Sequence, residues 1–451
     1  MNSRLWQTVY LAMLVCLGAA ASGAQAPLTL RQAIDQALGQ NPQVSMARAD
    51  ESDARAAATL ARTQLLPQLN FTEDISRGDD PVYAFGSRLR QRQFTQADFA
   101  LNALNRPQPI GNFSTRFSGS WMVFDSFKTQ KEIRRADRFK ASAASSAKAV
   151  DQQRVLRVVA AYQSVLFAER QIDVAKHEQE TAAALLASVD QRVKAGLAVE
   201  SDRMSAQVSA ATIKEESIAA EGERDLAWAE LREAMGVTQL QVSALKPIES
   251  RSFPESPLEQ ELATAVKMRP DLTALGLAQS AQTQAVGAAK SNFGPRVSAY
   301  GNWEEDRGSL GSTGGNNWVA GVQISVDILP MGKRAQLARE GAAKQRVDAQ
   351  MALLQQQMRL QVSRAHIHRQ TSALQFETAR TAMDQATESL RILKNRYNAG
   401  LATITDLLRA EDAERQSKSN YWHAVYGNAM AYAELLYAQG TLTPDAAEEL
   451  Q

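Results

Sequence analysis

Residues 113–123 alternate: Phe113, Thr115, Phe117, Gly119, Trp121 and Val123 are separated by Ser114, Arg116, Ser118 and Ser120. Trp318, Ala320, Val322, Ile324 and Val326 alternate in the same way with Val319, Gly321, Gln323, Ser325 and Asp327. A period of two predicts strands with one apolar and one polar face. Weaker partners precede them, Leu69, Phe71 and Ile75 within 68–76, and Val297, Ala299, Gly301 and Trp303 within 296–304. Two β-hairpins follow, about 68–124 and 296–327, with aromatic ends at Trp121, Phe124, Trp303 and Trp318. The connecting segments read as loops, 77–112 being polar with an Arg-rich run and Pro107/Pro109, and 305–316 being rich in Gly.

After each hairpin the pattern changes. The chain has 13 Pro, yet none between 110 and 246 and none between 331 and 443. Both stretches are rich in Ala, Gln, Arg and Glu, which suit helix interiors. Each is interrupted once, at Val193-Lys194-Ala195-Gly196-Leu197 with Asp202 beyond, and at Tyr397-Asn398-Ala399-Gly400-Leu401 with Asp406 beyond. Gly ends a helix because it alone takes the left-handed conformation cheaply. Ser201, and Thr403 or Thr405, are candidate caps for the restarting helices.

The helices are long. Residues 131–195 as one helix span roughly 95–100 Å at ~1.5 Å per residue, so neighbouring helices must bury them. On 351–374, Leu353, Leu360, Ile367 and Leu374 recur every seven residues, as do Met351, Met358 and Ala365. The two stripes lie roughly 200° apart. A simple three-helix bundle needs one apolar face; two favour a helix flanked on both sides, as in a wall or cylinder.

The halves also begin alike, with a short helix closed by Asn41-Pro42 or Arg269-Pro270 and a longer one over 43–65 or 271–292. The chain therefore reads as a tandem repeat. The first repeat covers 25–245 and the second 246–451, with the join near the Pro247, Pro254 and Pro257 cluster.

Composition narrows the functions. With 50 Lys+Arg against 49 Asp+Glu there is no basic surplus for nucleic acid. One Cys and four His leave little for a disulfide framework, a metal site or acid–base work. His366 and His368, at i and i+2, point to different sides of a helix. Arg4 precedes the apolar run Val9 to Leu17, and small residues follow, so 1–24 reads as a signal peptide that carries away Cys16. No later stretch of 18 apolar residues could form a membrane helix; entry into lipid requires closed β-strands. Four strands cannot close a barrel, the smallest of which have about eight. Two copies would supply eight strands and three would supply twelve.

With this order of elements, both Ala-Gly-Leu turns, and the strand-to-helix passages Phe124-Asp125 and Ile328 to Arg334, the chain resembles the TolC-like outer-membrane efflux protein family, also called outer membrane factors. The resemblance implies a mainly α fold with β: a homotrimer with a 12-stranded transmembrane β-barrel, four strands per chain, in the bacterial outer membrane, continued by an α-barrel tunnel in the periplasm. It implies that the turns at Gly196, Leu197 and Asp202, and at Gly400 and Leu401, meet a periplasmic adaptor (membrane fusion protein) and an inner-membrane pump of the RND or ABC type. It implies a pore constriction at Tyr397 and Asp406. Arg409 stands where the family carries a second Asp, and Ala402 stands in place of a family Arg.

The function so implied is a passive exit duct for drugs, ions or polypeptides, in outer-membrane lipid, without catalysis or cofactor. The alternative is a secreted structural coiled-coil protein, which would need no detergent for extraction and would show no conductance.

Overall fold

In a computed structural model, residues 27–240, 242, 244–248 and 252–451 are described. The signal-peptide segment 1–24 and parts of the join lie outside them.

The elements run α1 (Leu30–Gln40), α2 (Pro42–Thr63), β1 (Gln68–Gly78), α3 (Pro81–Arg90), α4 (Leu101–Asn105), β2 (Ile110–Phe124), α5 (Lys128–Lys194) and α6 (Glu200–Met235). The second half repeats the order: α7 (Leu258–Met268), α8 (Pro270–Ser291), β3 (Arg296–Arg307), β4 (Gly315–Ser325), α9 (Met331–Asn398) and α10 (Ile404–Gln439), then a short α11 (Pro444–Glu448). An expectation fails within the first hairpin. Segment 77–112 is not a plain loop: it holds α3, a 3-10 turn at Gln96–Phe99, and α4. Asp80 caps α3 through the Tyr83 N–H (2.8 Å) with Pro81 at its first position, a start signal hidden in a segment too short to show helical periodicity.

The chain divides into two compact units. One comprises 46–149 and 270–357 and carries the sheet. Its four antiparallel strands lie in the order β1-β2-β3-β4, so the two hairpins are joined through β2–β3. Opposed residues share a face. One face carries the row Phe71, Phe117, Trp303, Trp318 across all four strands; the other carries Asn70, Ser118 and Asn302. Phe71–Phe117 and Phe117–Trp303 ring centroids are 5.1 and 5.9 Å apart. Val319 beside Asn302, Met122 opposite Ser298 and Ile110 opposite Gly78 are apolar exceptions on the polar face. Asp125 caps α5 by accepting from the Thr129 N–H (2.7 Å) and hydroxyl (2.5 Å).

The other unit comprises 27–45, 150–269 and 358–451 and is helical. Its core gathers Leu30 and Ile34 of α1, Val155, Val158 and Tyr162 of α5, Leu231 and Met235 of α6, and Ala433 of α10. The buried Tyr162 hydroxyl lies 2.7 Å from the Leu28 carbonyl and 2.8 Å from that of Lys246, pinning the join against α5. His366 meets the buried Glu261 at 3.0 Å and His368 meets Glu434 at 3.2 Å. Phe253 stacks on Tyr432 with centroids 4.5 Å apart.

On α9 the two seven-residue stripes separate. Met358 and Ala365 are buried within the chain, whereas Leu353, Leu360, Ile367 and Leu374 are all at least half exposed.

Candidate functional site

Both helical hairpins turn by the same backbone device. Gly196 and Gly400 take φ of +72° and +76°. The Leu197 N–H donates to Arg192 O and the Leu401 N–H to Arg396 O, each at 2.8 Å, while the Gly196 and Gly400 N–H groups reach Val193 O and Tyr397 O at 3.0 Å. This is the Schellman closure, which satisfies carbonyls that the helix end leaves free. The leucine that follows normally packs back onto the helix. Here Leu197 and Leu401 are 78% and 68% exposed, so both turns offer apolar side chains to the outside.

The restarts differ. Thr403 caps α10: its hydroxyl accepts from the Asp406 N–H (3.2 Å), and Asp406 Oδ2 accepts from the Thr403 hydroxyl (2.7 Å) and N–H (3.1 Å). The Thr403 hydroxyl and N–H hold the Asp406 carboxyl below its usual range, with Arg409 and Arg396 adding to the effect. The first repeat lacks this box. Its cap position is Val199, without a side-chain bond, and Asp202 sits in the first turn. Ser201 is therefore inside α6 rather than capping it, and Thr405 lies inside α10.

Tyr397 is buried in a small core with Val189, Ala206, Ile404 and Leu407. The Arg192 guanidinium sits 4.7 Å from its ring centroid and donates to Asn398 O at 3.3 Å. Arg192 thus ties α5 to the C-terminal end of α9, where a cation meets the negative end of the helix dipole. Asp406 is half-buried and Arg409 is exposed in the single chain, outside any seam between its own helices. The fold brings Tyr397, Asp406 and Arg409 to one end of the hairpin pair. The sequence offered no signal for Arg192 beyond its place four residues before Gly196.

The strand aromatics form the second candidate surface. Trp303 and Trp318 lie in the aromatic row, with Trp318 79% exposed. Trp121, nearer the helices, donates its indole N–H to Leu65 O at 2.9 Å, and Phe124 packs edge-on against Phe127. Two aromatic levels with apolar residues between them suit lipid interfaces. Among the described residues no helix is long and apolar enough to cross a membrane, and no group of His, Cys, Asp and Glu could hold a metal ion.

The chain is 24% identical to the outer membrane protein TolC of Vibrio cholerae over 433 residues, covering 92% of this chain and 91% of that one. It is 23% identical to the alkaline protease secretion protein AprF of Pseudomonas aeruginosa, covering 90% and 83%. Among solved structures, the CmeC outer membrane channel of Campylobacter jejuni superposes with a TM-score of 0.76 at 18% identity, over 91% of this chain and 85% of that one. The open-state MtrE outer membrane channel of Neisseria gonorrhoeae gives 0.75 at 19%, over 92% and 91%. The model of the outer membrane efflux proteins matches residues 33–237 and 262–441, spanning both repeats. This chain belongs to the outer membrane efflux protein family.

Proposed function

We propose that three copies of this outer-membrane channel protein close into one continuous duct. Their twelve strands line the passage through the lipid, and their long helices continue it into the periplasm. The supporting observation is the unfinished sheet. Four strands leave β1 and β4 as open edges, and Phe71, Phe117, Trp318, Val322 and Ile324 expose an apolar face. Open edges do not occur in lipid, so the sheet must be completed by other copies. The exposed stripe Leu353, Leu360, Ile367 and Leu374 supports the same reading for the helices. Between α9 and α10 runs an open groove of about 720 Å³, bordered by Leu374, Ala382, Ala424 and Gly427. Its small lining residues suit a helix of a neighbouring copy.

The channel serves efflux or secretion, and in this reading it supplies a path rather than chemistry. An inner-membrane pump, engaged through a periplasmic adaptor, provides the energy. The exposed Leu197 and Leu401 at the two turns are the adaptor's contacts, and Asp406 and Arg409 form the narrowest ring; Tyr397, expected there from the sequence, is buried between the helices and supports the ring from behind.

Reconstitution in planar bilayers tests this. The purified protein should give discrete single-channel steps, and Leu197→Asp with Leu401→Asp should abolish pump-dependent export while leaving those steps unchanged. A detergent-independent monomer without conductance would instead support the structural coiled-coil reading.

A further inference from the structure

The helix-bearing insert between β1 and β2 lies on one face of the sheet only. The Tyr83 hydroxyl is 2.9 Å from Ser76 Oγ. Gln91 Nε2 donates to Asn112 Oδ1 (2.8 Å) and to Gly111 O (2.9 Å), and Asn112 Nδ2 donates to the fully buried Asp306 (2.7 Å). Arg90 reaches Glu304 at 3.5 Å, beside the Arg116–Glu304 pair at 2.7 Å. Ser76, Asn112, Asp306 and Glu304 all belong to the polar face, the one opposite the aromatic row. The approach is close at β4 too, where a side chain at Gly315 would overlap the Arg90 carbonyl.

The insert is also built, not slack. Phe94 packs edge-on against Phe85 and Phe99, with centroids 4.7 and 5.0 Å away. Arg88 pairs with Asp98 at 2.7 Å, and Thr95 and Asp98 cap the 3-10 turn reciprocally. The insert joins the ends of β1 and β2 that lie away from α2 and α5. In a barrel with its aromatic face to lipid, the polar face is the lumen, and this end is the outer mouth.

We propose that residues 79–109 form a lid inside the outer mouth, a second constriction that sorts cargo by size. This rests on the multi-copy barrel reading. The seal is incomplete: Gln91 Oε1 and Asp306 Oδ2 are buried without a hydrogen-bond partner. Orphaned acceptors weaken the docking of the insert, which suits an element that lifts when large cargo passes.

Thiol labelling of intact cells from outside tests the lid, in a Cys16→Ser background that removes the only cysteine. Ser120→Cys places a thiol on the polar face and Ala320→Cys one on the apolar face. Because Gly78 and Ile110 are directly paired, Asn-Gly can replace residues 79–109 as a two-residue hairpin turn. With maleimides on polyethylene glycol of graded size, small reagents should label the Ser120→Cys site in both chains. The large ones excluded by the intact chain should react at least about tenfold faster once the insert is gone. Arg90→Ala with Gln91→Ala, which undocks the insert but keeps it, should move the size cut-off in the same direction and serves if the deletion fails to reach the surface. An unchanged cut-off with a silent Ala320→Cys site overturns the lid and leaves the barrel standing. Labelling of Ala320→Cys by small water-soluble maleimides as fast as Ser120→Cys overturns the barrel itself.

Discussion

Asn41 and Gly236 meet backbone to backbone: a Cβ on Gly236 would lie 2.6 Å from the Asn41 Cα, and the Asn41 amide donates to Ala234 O at 3.2 Å. The second repeat copies the contact. A Cβ on Gly440 would lie 2.7 Å from the Arg269 Cα, and Arg269 donates to Ala438 O at 3.2 Å. In each case the residue before a Pro crosses the C-terminus of a returning helix, whose closing glycine has φ near +75°. Gly236→Ala and Gly440→Ala should therefore each destabilise by at least about 1–3 kcal/mol from backbone strain alone, with the collision added. Gly222→Ala, in the middle of α6 with nothing within 4 Å, should instead stabilise by about 0.5–1 kcal/mol. Thermal melts of the three variants in detergent check the contrast.

The capping box at Thr403 separates fold from conduction. Thr403→Ala should cost about 1 kcal/mol through loss of the cap. Asp406→Asn keeps a side-chain acceptor for the Thr403 N–H and hydroxyl but removes the charge. If Asp406 lines the passage, that variant should lower cation preference in single-channel recordings, with stability changed far less than selectivity. Equal selectivity in wild type and Asp406→Asn would place the carboxylate off the conduction path.

Three carboxylates meet inside the helical unit. Glu178 of α5, and Glu411 and Glu414 of α10, are buried together, with Lys418 2.5 Å from Glu414 and 3.8 Å from Glu178. Burial, and then the neighbouring Glu178, push the Glu411 carboxyl up to about 7; Asp412 and Glu414 add to this and Lys394 opposes it. The folded state therefore holds a proton here that the unfolded chain releases near pH 4.5. On this account stability falls as pH rises from about 4.5 through 7 and is level above it. Glu411→Gln should flatten that slope, melting several degrees higher than wild type at pH 8 and converging with it near pH 5. Parallel melts across this range decide the point.

The exposed leucine stripe on α9 predicts a change of assembly. Leu360→Asp with Ile367→Asp places two charges on the face that the single chain leaves open. The variant should run as a monomer in size-exclusion chromatography with light scattering in detergent, while its helical circular dichroism per residue stays near wild type. Met358→Asp, on the buried stripe, should instead reduce folded yield, because a charge would lie unpaired in the core.

Strands and long helices were legible because their signals are local and strong: period two at 113–123, absence of Pro, and glycine at the turns. The predicted ends of these strands and long helices lie within a few residues of the observed ones. Three features escaped for physical reasons. Pairing of β2 with β3 joins segments about 180 residues apart, and no local pattern encodes such a contact. Helix α3 is ten residues long, too short to declare a period, and it is held by Phe85 against Phe94 and Phe99 and by polar contacts of Tyr83 and Arg90 with the sheet. Arg192 acts through the ring of Tyr397, on another helix. The turn residues were legible as turns because a left-handed glycine lies between its flanking alanine and leucine in the sequence itself.

The even number of strands in each chain has a consequence for closure. In the order β1-β2-β3-β4 the first and last strands run in opposite directions. A copy turned about the barrel axis therefore presents its β4 to its neighbour's β1 in the antiparallel sense. The meander passes from one subunit to the next without a parallel seam, and the joints between chains can carry the same hydrogen-bond ladder as the joints within them.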